Sequence, residues 1–458
     1  MTPRQRPPGA TLLTAAVLGA ACGLVAVGSA PPHRHALTLL AGEGWIMGPT
    51  SIPDPTVGGY LESVKALYLQ PDPPRFPDQQ AFPDYHFEGL VTPEQFCPLV
   101  CLPPPNPYLT FADSVARGVE LLHATLEPQL SDGSAVTVFG YSQSATISTQ
   151  EMINLLATGP GVDPANLHFV LIGNPNNPLG GVLTRFPAYP VLGDQPVRLP
   201  FLGIPLSIGP TPTSGFDTDS YTGQYDGLAN FPQDPTNLLA MANALIGTAT
   251  VHFSYLDFDL ADTIDLGRIG DTDFYVIPQQ LPILWPIYQL GDAGTVIGDA
   301  LAPMLKLIID WGYGNPGNPF VGVNGTDAIG PWAVTASGQL ADGSDVAGLV
   351  MRMDPLQMLA GLQYAAVHSV VDPINDLLGF AGHSPLPDSV VDALLTGYYL
   401  TNEVDAYLLD AWRELSVSLN VADWLGPDAV FNGEPLISLA PMLEIGAVAF
   451  EILNLLGA

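Results

Sequence analysis

One serine of this sequence stands where a nucleophile would be placed. The apolar run Val136–Phe139 ends at Gly140, Ser142 follows two positions later, and a helix-forming segment comes next. A strand, a tight turn and a helix in this order lift a serine hydroxyl off the end of a parallel sheet, beside the first N–H groups of the helix. Ser144 stands where the usual Gly-x-Ser-x-Gly pattern has its second glycine. Surface turns match so short a pattern too, and the flanking strand and helix favour the interpretation of Ser142 as a nucleophile.

A serine hydroxyl needs a histidine as general base, and sheet-based hydrolases supply their residues in the order Ser, Asp, His. We favour His252, which follows the small, β-prone run Thr248–Val251 and precedes two aromatic residues. His168 begins an apolar strand and so lies at its wrong end, and His368 falls within an apolar helical pattern. His383, in a Gly-His-Ser-Pro loop, stays an alternative.

The acid that orients the histidine should lie between Ser142 and His252. Asp226 closes a predicted strand over Ser220–Gln224 and is our first choice, with Asp219 next. An Asp-Gly pair such as the one at Asp226 is also typical of a plain turn.

A tetrahedral intermediate needs two N–H donors. The backbone amide after the nucleophile, that of Gln143, is the first candidate. The second should come from the loop after an early strand, Gly48–Ser51, in which Pro49 has no N–H to donate. Thr50 or Ser51 is therefore the second donor, and an ordinary Gly-Pro turn is the competing interpretation.

Composition narrows the function classes. The 458 residues include 12% charged and 47% hydrophobic residues, with a net charge of −33. So acidic a chain repels phosphate backbones, which argues against a nucleic acid partner. The chemistry above requires no metal and no cofactor.

The N-terminus is typical of an exported protein. Arg4 and Arg6 precede the apolar run Thr11–Val27, and small residues follow up to Ala30. We expect an export signal over residues 1–30, or an uncleaved anchor. Removal of the signal would take away Cys22 and leave two cysteines, Cys97 and Cys101. Such a pair in an exported chain predicts a disulfide.

Apolar strands alternate with helical patterns through the first part of the chain, which predicts an α/β fold with a parallel sheet. We place this domain at residues 36–315, followed by a mostly helical C-terminal region over residues 316–458. Helices are predicted at Pro355–Phe380 and Leu436–Leu456, and both are too apolar to stand free in water. We expect the C-terminal region to pack on the first domain and to help form a site for an acyl chain. A region that only completes the core, far from Ser142, is the alternative.

The motifs together resemble the mycobacterial PE-PPE domain, a cutinase-like α/β-hydrolase. Five blocks carry the resemblance, in the order of the family: Met47-Gly48-Pro49-Thr50, Gly140-Tyr141-Ser142-Gln143-Ser144-Ala145, Gly173-Asn174-Pro175, Tyr225-Asp226-Gly227 with Phe231-Pro232, and Asp273-Phe274-Tyr275-Val276-Ile277-Pro278. Asn230 stands where the family often has an acid, and Pro49 interrupts its early Gly-Thr pair. We find no PE or PPE leader, and an export signal is predicted in its place.

The resemblance implies a secreted or envelope-associated serine esterase, with Ser142, Asp226 and His252 as its triad. Its substrates would be acyl esters or glycolipids at the cell envelope or a membrane surface. An acyltransferase that moves acyl chains onto trehalose or another envelope glycolipid is the alternative within enzymes. A catalytically inactive envelope scaffold is the alternative of another class.

Overall fold

The computed structural model describes residues 42–103, 107–158, 163–185, 209–232, 237–313, 355–404 and 407, with the short strands Val430–Phe431 and Glu434–Pro435. All of them fall within a single compact unit. The predicted export signal over residues 1–30 and the predicted helix Leu436–Leu456 lie outside the described residues. The boundary proposed at residue 315 stays a prediction.

A twisted sheet organises the described chain. Its seven strands are β1 (Glu43–Ile46), β2 (His86–Gly89), β3 (Val136–Tyr141), β4 (Leu167–Ile172), β5 (Asp217–Gly223), β6 (Ile264–Ile269) and β7 (Thr272–Ile277). They lie in the order β2-β1-β3-β4-β5-β7-β6, and all neighbours run parallel except the antiparallel edge pair β6 and β7. The carboxyl ends of β1, β3 and β5 therefore meet at one edge of the sheet.

Helices flank this sheet and extend beyond it. They are α1 (Tyr60–Val64), which continues as a π-helical turn over Lys65–Leu69, α2 (Phe111–Ser131), α3 (Gln143–Thr158), α4 (Val182–Arg185), α5 (Leu238–Thr250), α6 (Trp285–Tyr288), α7 (Asp292–Gly312), α8 (Pro355–Phe380) and α9 (Asp388–Leu394). A further helical stretch covers residues 396–404, and 3-10 turns cover Pro164–Asn166 and Pro282–Leu284. Among these helices, none is both long and apolar enough to cross a membrane.

Both faces of the sheet are buried, which is the condition for parallel strands. Alternate side chains of β3 enter two separate clusters. Phe139 and Tyr141 pack into an aromatic layer with the tyrosines of β5 and β7. Val136 and Val138 pack into an aliphatic layer against α2 and α3. Because of this alternation, the face of the sheet to which each of the last side chains of a strand points is determined by its position along the strand.

The predicted α/β fold is confirmed, but two of its strands were missed. Neither β2 nor β6 was predicted, since both lie at the edges of the sheet and bury few apolar side chains. The β-prone interpretation of Thr248–Val251 is wrong. Thr248 and Thr250 lie in the last turn of α5, where their hydroxyls donate to the carbonyls of Ala244 and Ile246. Packing of the helix outweighs the preference of β-branched residues for strands.

The described part of the predicted C-terminal region packs against α7. Helix α8 runs along α7. The stretch 396–404 is joined to α8, because the hydroxyl of Thr401 donates to Gln363 Oε1 at 2.9 Å. A role of this region in binding an acyl chain stays a prediction.

Candidate active site

The turn between β3 and α3 carries Ser142 with its backbone in the left-handed region. Its φ is +57°, a conformation that costs a residue with a side chain free energy and is typical of a nucleophile elbow. Gly140 allows the strand and helix to approach each other. A Cβ there would lie 2.8 Å from the carbonyl oxygen of Ser144 and 2.9 Å from Cα of Ala145.

Ser144 has a structural reason to replace the usual glycine. Its hydroxyl accepts a hydrogen bond from the amide of Tyr141 at 2.8 Å and donates to the carbonyl of the same residue at 3.1 Å. The side chain is fully buried and bridges the two ends of the turn. Serine at this position therefore stabilises the turn through hydrogen bonds that glycine, without a side chain, could not form.

Three side chains predicted to act together lie in hydrogen-bond contact. His252 Nε2 is 2.7 Å from Ser142 Oγ. On the other side of the ring, His252 Nδ1 is 2.9 Å and 2.8 Å from the two carboxylate oxygens of Asp226. With its proton on Nδ1 toward Asp226, the imidazole presents a lone pair at Nε2 that can accept the serine proton. The exposed fractions are 6% for Ser142, 1% for His252 and 0% for Asp226, so the contact excludes water.

Asp226 is held by donors in addition to the histidine. Its Oδ1 accepts the amides of Leu228 and Ala229 at 2.8 and 3.2 Å, and its Oδ2 accepts the hydroxyl of Tyr255 at 2.7 Å. Burial acts to raise the pKa of Asp226, but His252 and these donors together lower it below its usual value. The carboxyl is therefore ionised at neutral pH, which is the state that can orient a histidine.

Tyr255 was missed as a functional residue by sequence analysis, which noted it only as an aromatic neighbour of His252. Its hydroxyl also accepts the amide of Gly223, at 2.8 Å, so it links the end of β5 to the acid. The carbonyl of Tyr255 in turn accepts the hydroxyl of Tyr68, at 2.7 Å. The sequence does show a tyrosine three residues after His252. This spacing indicates a role for Tyr255 only once the structure shows that both side chains contact Asp226.

The competing residues have other partners. Asp219, the second choice for the acid, is bound by His168, whose Nε2 lies 3.0 Å from Asp219 Oδ2. His368 pairs with Asp372 one turn further along α8, at 2.9 Å. His383 follows the end of α8, and no hydrogen bond of its ring is found among the described residues.

The predicted oxyanion donors differ in whether their backbone amides are free. In the described structure the amides of Gln143 and Thr50 have no hydrogen-bond acceptor. The amide of Ser51, the other candidate of the early loop, is already engaged with the carbonyl of Glu94 at 2.8 Å. Of the two residues left open by the sequence, Thr50 therefore keeps the free donor.

The structure bonds Cys97 to Cys101, with their Cα atoms 4.9 Å apart, in the loop between β2 and α2. Within the described ranges, no group of three or more His, Cys, Asp or Glu side chains could hold a metal ion.

A mostly parallel sheet with Ser142, His252 and Asp226 joined at its carboxyl edge is the arrangement of the α/β-hydrolases. A profile of the PE-PPE domain matches residues 83–314, which is half of the chain. The chain therefore belongs to the PE-PPE domain family, as its motifs predicted.

Three relatives from Mycobacterium tuberculosis illustrate the family. The chain is 36% identical to the PPE family protein PPE28 over 322 residues. This match covers 68% of this chain and 46% of PPE28. It is 36% identical over 281 residues to Esterase PE16, covering 59% of this chain and 48% of PE16. It is 26% identical over 328 residues to Diacyltrehalose acyltransferase Chp2, covering 66% of this chain and 88% of Chp2. The chain thus spans about half the length of PPE28 and of PE16.

Proposed function

We propose that this protein is an exported serine esterase that cleaves acyl esters through Ser142, His252 and Asp226. The observation that carries the proposal is the contact of His252 with Ser142 Oγ on one side and with the Asp226 carboxylate on the other. The relationship to Esterase PE16 supports the same reaction class.

The reaction begins when Ser142 Oγ attacks the ester carbonyl carbon and His252 Nε2 takes the hydroxyl proton. Asp226 stabilises the imidazolium that forms. The carbonyl oxygen becomes an oxyanion, which the amides of Gln143 and Thr50 bind. The C–O bond then breaks, and the leaving alcohol takes the proton from His252. An acyl group remains on Ser142.

The second half of the reaction decides between hydrolysis and transfer. His252 removes a proton from an incoming hydroxyl, which attacks the acyl carbonyl carbon. The bond between the acyl carbon and Ser142 Oγ then breaks, and the serine oxygen takes the proton from His252. Water as this nucleophile gives a free fatty acid. A sugar hydroxyl gives a new ester.

Acyl transfer is the second candidate function, and two observations favour it. The chain resembles Diacyltrehalose acyltransferase Chp2 along most of the length of that protein. Ser142 and His252 are almost closed to solvent, and exclusion of water protects an acyl-enzyme from hydrolysis. We propose glycolipids of the cell envelope as the substrates in that case.

The variants Ser142→Ala and His252→Ala test the proposal. Each should lower the turnover of p-nitrophenyl esters by about 10⁴-fold or more, since the three residues act as a unit. Asp226→Asn should lose about as much, because it places the ring proton on the wrong nitrogen. Asp219→Asn is the matched control and should keep its turnover.

Near-normal turnover by Ser142→Ala would reject the proposal, and a wild type without ester turnover would favour an inactive scaffold. Inactivity of Asp219→Asn in place of Asp226→Asn would show that the acid is assigned wrongly. Mass spectrometry of the products from a lipid extract, with and without added trehalose, distinguishes a released acid from a transferred acyl chain.

A further inference from the structure

Two consecutive residues connect the two sides of the candidate oxyanion site. The carbonyl of Glu94 accepts the amide of Ser51 at 2.8 Å, and the carbonyl of Gln95 accepts Gln143 Nε2 at 2.8 Å. Ser51 follows Thr50, whose amide is one proposed donor, and Gln143 carries the other. The segment Glu94–Gln95 therefore sets the spacing between the two donors.

The Gln95 end of this segment is firmly anchored. Its amide donates to Ser114 Oγ at 3.0 Å, and that hydroxyl donates to Gln143 Oε1 at 3.1 Å. Together with the bond from Gln143 Nε2 to the Gln95 carbonyl, these contacts close a ring of buried hydrogen bonds. Gln143 is thus held by its side chain while its backbone amide stays available.

The Glu94 end is held in a different and more costly way. Glu94 has a φ of +46° and an exposed fraction of 0%. Its Oε1 accepts the hydroxyl of Thr92 at 2.7 Å, while its Oε2 has no partner in the described parts of the chain. A carboxylate in such a place would lack both solvent and a counterion.

The groups around Glu94 bring no compensating charge. Among the described residues, no Lys, Arg or His forms an ion pair with it. The ionisable side chain that faces it is Tyr60 of α1, whose pKa is raised well above 10 and which is therefore neutral. Burial raises the pKa of Glu94 to about 8, against the smaller lowering effect of the Thr92 hydrogen bond.

We propose that the buried Glu94, through its contacts with Thr92 and Ser51, is a positioning residue of the oxyanion site, holding the segment that links the loop of Thr50 to Gln143. This inference rests on the proposed function, because it concerns the same site. Loss of the Glu94 proton leaves a buried charge with a single donor, which the loop relieves by moving. The carbonyl of Glu94 then no longer fixes Ser51, and turnover falls on the alkaline side.

The test compares the pH profiles of the full-length wild type, Glu94→Gln and Glu151→Gln with a p-nitrophenyl ester, corrected for spontaneous hydrolysis. Glutamine keeps the shape of the neutral acid and cannot ionise. Glu151 is the matched control, because it too is buried, has a raised pKa and leaves one oxygen unpartnered, but it lies on α3 and pairs with His123.

At about pH 7 we expect the wild type and Glu94→Gln to agree within about twofold in kcat and KM. At about pH 9, Glu94→Gln should turn over about tenfold faster than the wild type, because one unit above a pKa of about 8 only about a tenth of Glu94 is protonated. Glu151→Gln should follow the wild type at both values.

A second variant keeps the test decisive if Glu94→Gln folds poorly. Thr92→Val removes the donor that favours the charged form, so the alkaline fall in kcat should move to higher pH. If kcat falls at the same alkaline pH in the wild type and in these variants, Glu94 has no positioning role. If turnover still depends on Ser142 in that case, the proposed function stands. Turnover that does not depend on Ser142 overturns the proposed function as well.

Discussion

At the scale of single residues, the acid of the candidate triad owes its charge to its neighbours. Asp226 is buried, and its pKa is nevertheless lowered by His252, by two backbone amides and by Tyr255. A carboxylate with a lowered pKa stabilises the fold above its ordinary pKa of 3.8, and this stabilisation is lost as the pH falls through the folded-state value.

Tyr255→Phe should therefore destabilise the protein in a pH-dependent way. The variant loses a hydrogen bond to a charged acceptor, worth about 1.5–3 kcal/mol, so the free energy of unfolding at about pH 7 should fall by this amount. Part of the loss should disappear at acid pH, below 3.8, as the pH falls through the lowered pKa of Asp226. The rest should persist, because the amide of Gly223 also loses its acceptor. Denaturant unfolding at the two pH values measures both parts.

Tyr68→Phe is the control for this prediction. Tyr68 is also a fully buried tyrosine, and its hydroxyl donates to a backbone carbonyl, that of Tyr255, instead of a carboxylate. Its cost should be the same at both pH values. Equal pH dependence in the two variants would contradict the role given to the Tyr255 hydroxyl.

The residues of the candidate triad could be proposed from the sequence because chain order limits the choice. Ser142 is marked by its flanking strand and helix, and His252 and Asp226 follow in the required order. The sequence could not exclude Asp219, because its partner, His168, lies on the neighbouring strand. Glu94 and Tyr255 escaped notice, because their contacts depend on loops that meet only in the folded chain.

At the scale of secondary structure elements, helix α7 holds the loop that carries Asp226. Tyr225 has a φ of +67°, and its hydroxyl donates to Asp310 Oδ1 of α7 at 2.7 Å. Asp310 is buried and forms an ion pair with Lys306 at 2.8 Å. Burial raises the pKa of Asp310, although Lys306 and Tyr225 act in the opposite direction. The hydrogen bond to Asp310 therefore holds Tyr225, the residue before Asp226, in its left-handed conformation, although α7 is distant in sequence.

Tyr225→Phe should lower kcat by about tenfold with a small effect on KM, since a slight displacement of a catalytic group slows the chemical step. Steady-state kinetics on short-chain esters measure the change. Tyr288→Phe is the matched control, because Tyr288 also donates to an aspartate of α7, Asp299 at 2.8 Å, and not to an acceptor that holds the acid loop. A similar loss of kcat in both variants would mean that α7 only stabilises the fold.

The loop between β2 and α2 contains the predicted disulfide. We expect Cys97 and Cys101 to be oxidised in the exported protein, because export favours disulfides and the pair lies in bonding contact. The loop is short, so the gain in stability should be modest, about 2 kcal/mol. Thiol labelling of the native, unreduced protein tests this directly, and modification of both cysteines would contradict the pairing.

Regular elements with strong patterns were predicted well. The helix predicted at Pro355–Phe380 has those bounds in α8, and the strand predicted at the elbow is β3. The misses have physical causes. Strands β2 and β6 lie at the sheet edges, and the last turn of α5 contains threonines that strands usually favour. In each case the outcome depends on neighbours that are distant in sequence.

At the scale of the whole molecule, the C-terminal helical region remains the part whose role is open to test. Helix α8 packs along α7, and α7 in turn holds Tyr225. The sequence predicts that this region also helps to bind the acyl chain. Removal of the chain after residue 315 should then abolish the preference for long-chain over short-chain esters, provided that the fragment stays soluble. The ratio of kcat/KM for the two ester classes is the measurement, and an unchanged ratio would make the region purely structural.

The central claim is that Ser142 is a nucleophile activated by His252. The most direct measurement is the site of covalent labelling by a fluorophosphonate in the full-length protein, mapped by mass spectrometry of its peptides. We predict a single adduct, on Ser142, that forms in the wild type and is lost in His252→Ala, which retains the serine but not the base. An adduct at another residue, equal labelling of His252→Ala, or no labelling of the wild type would contradict the claim.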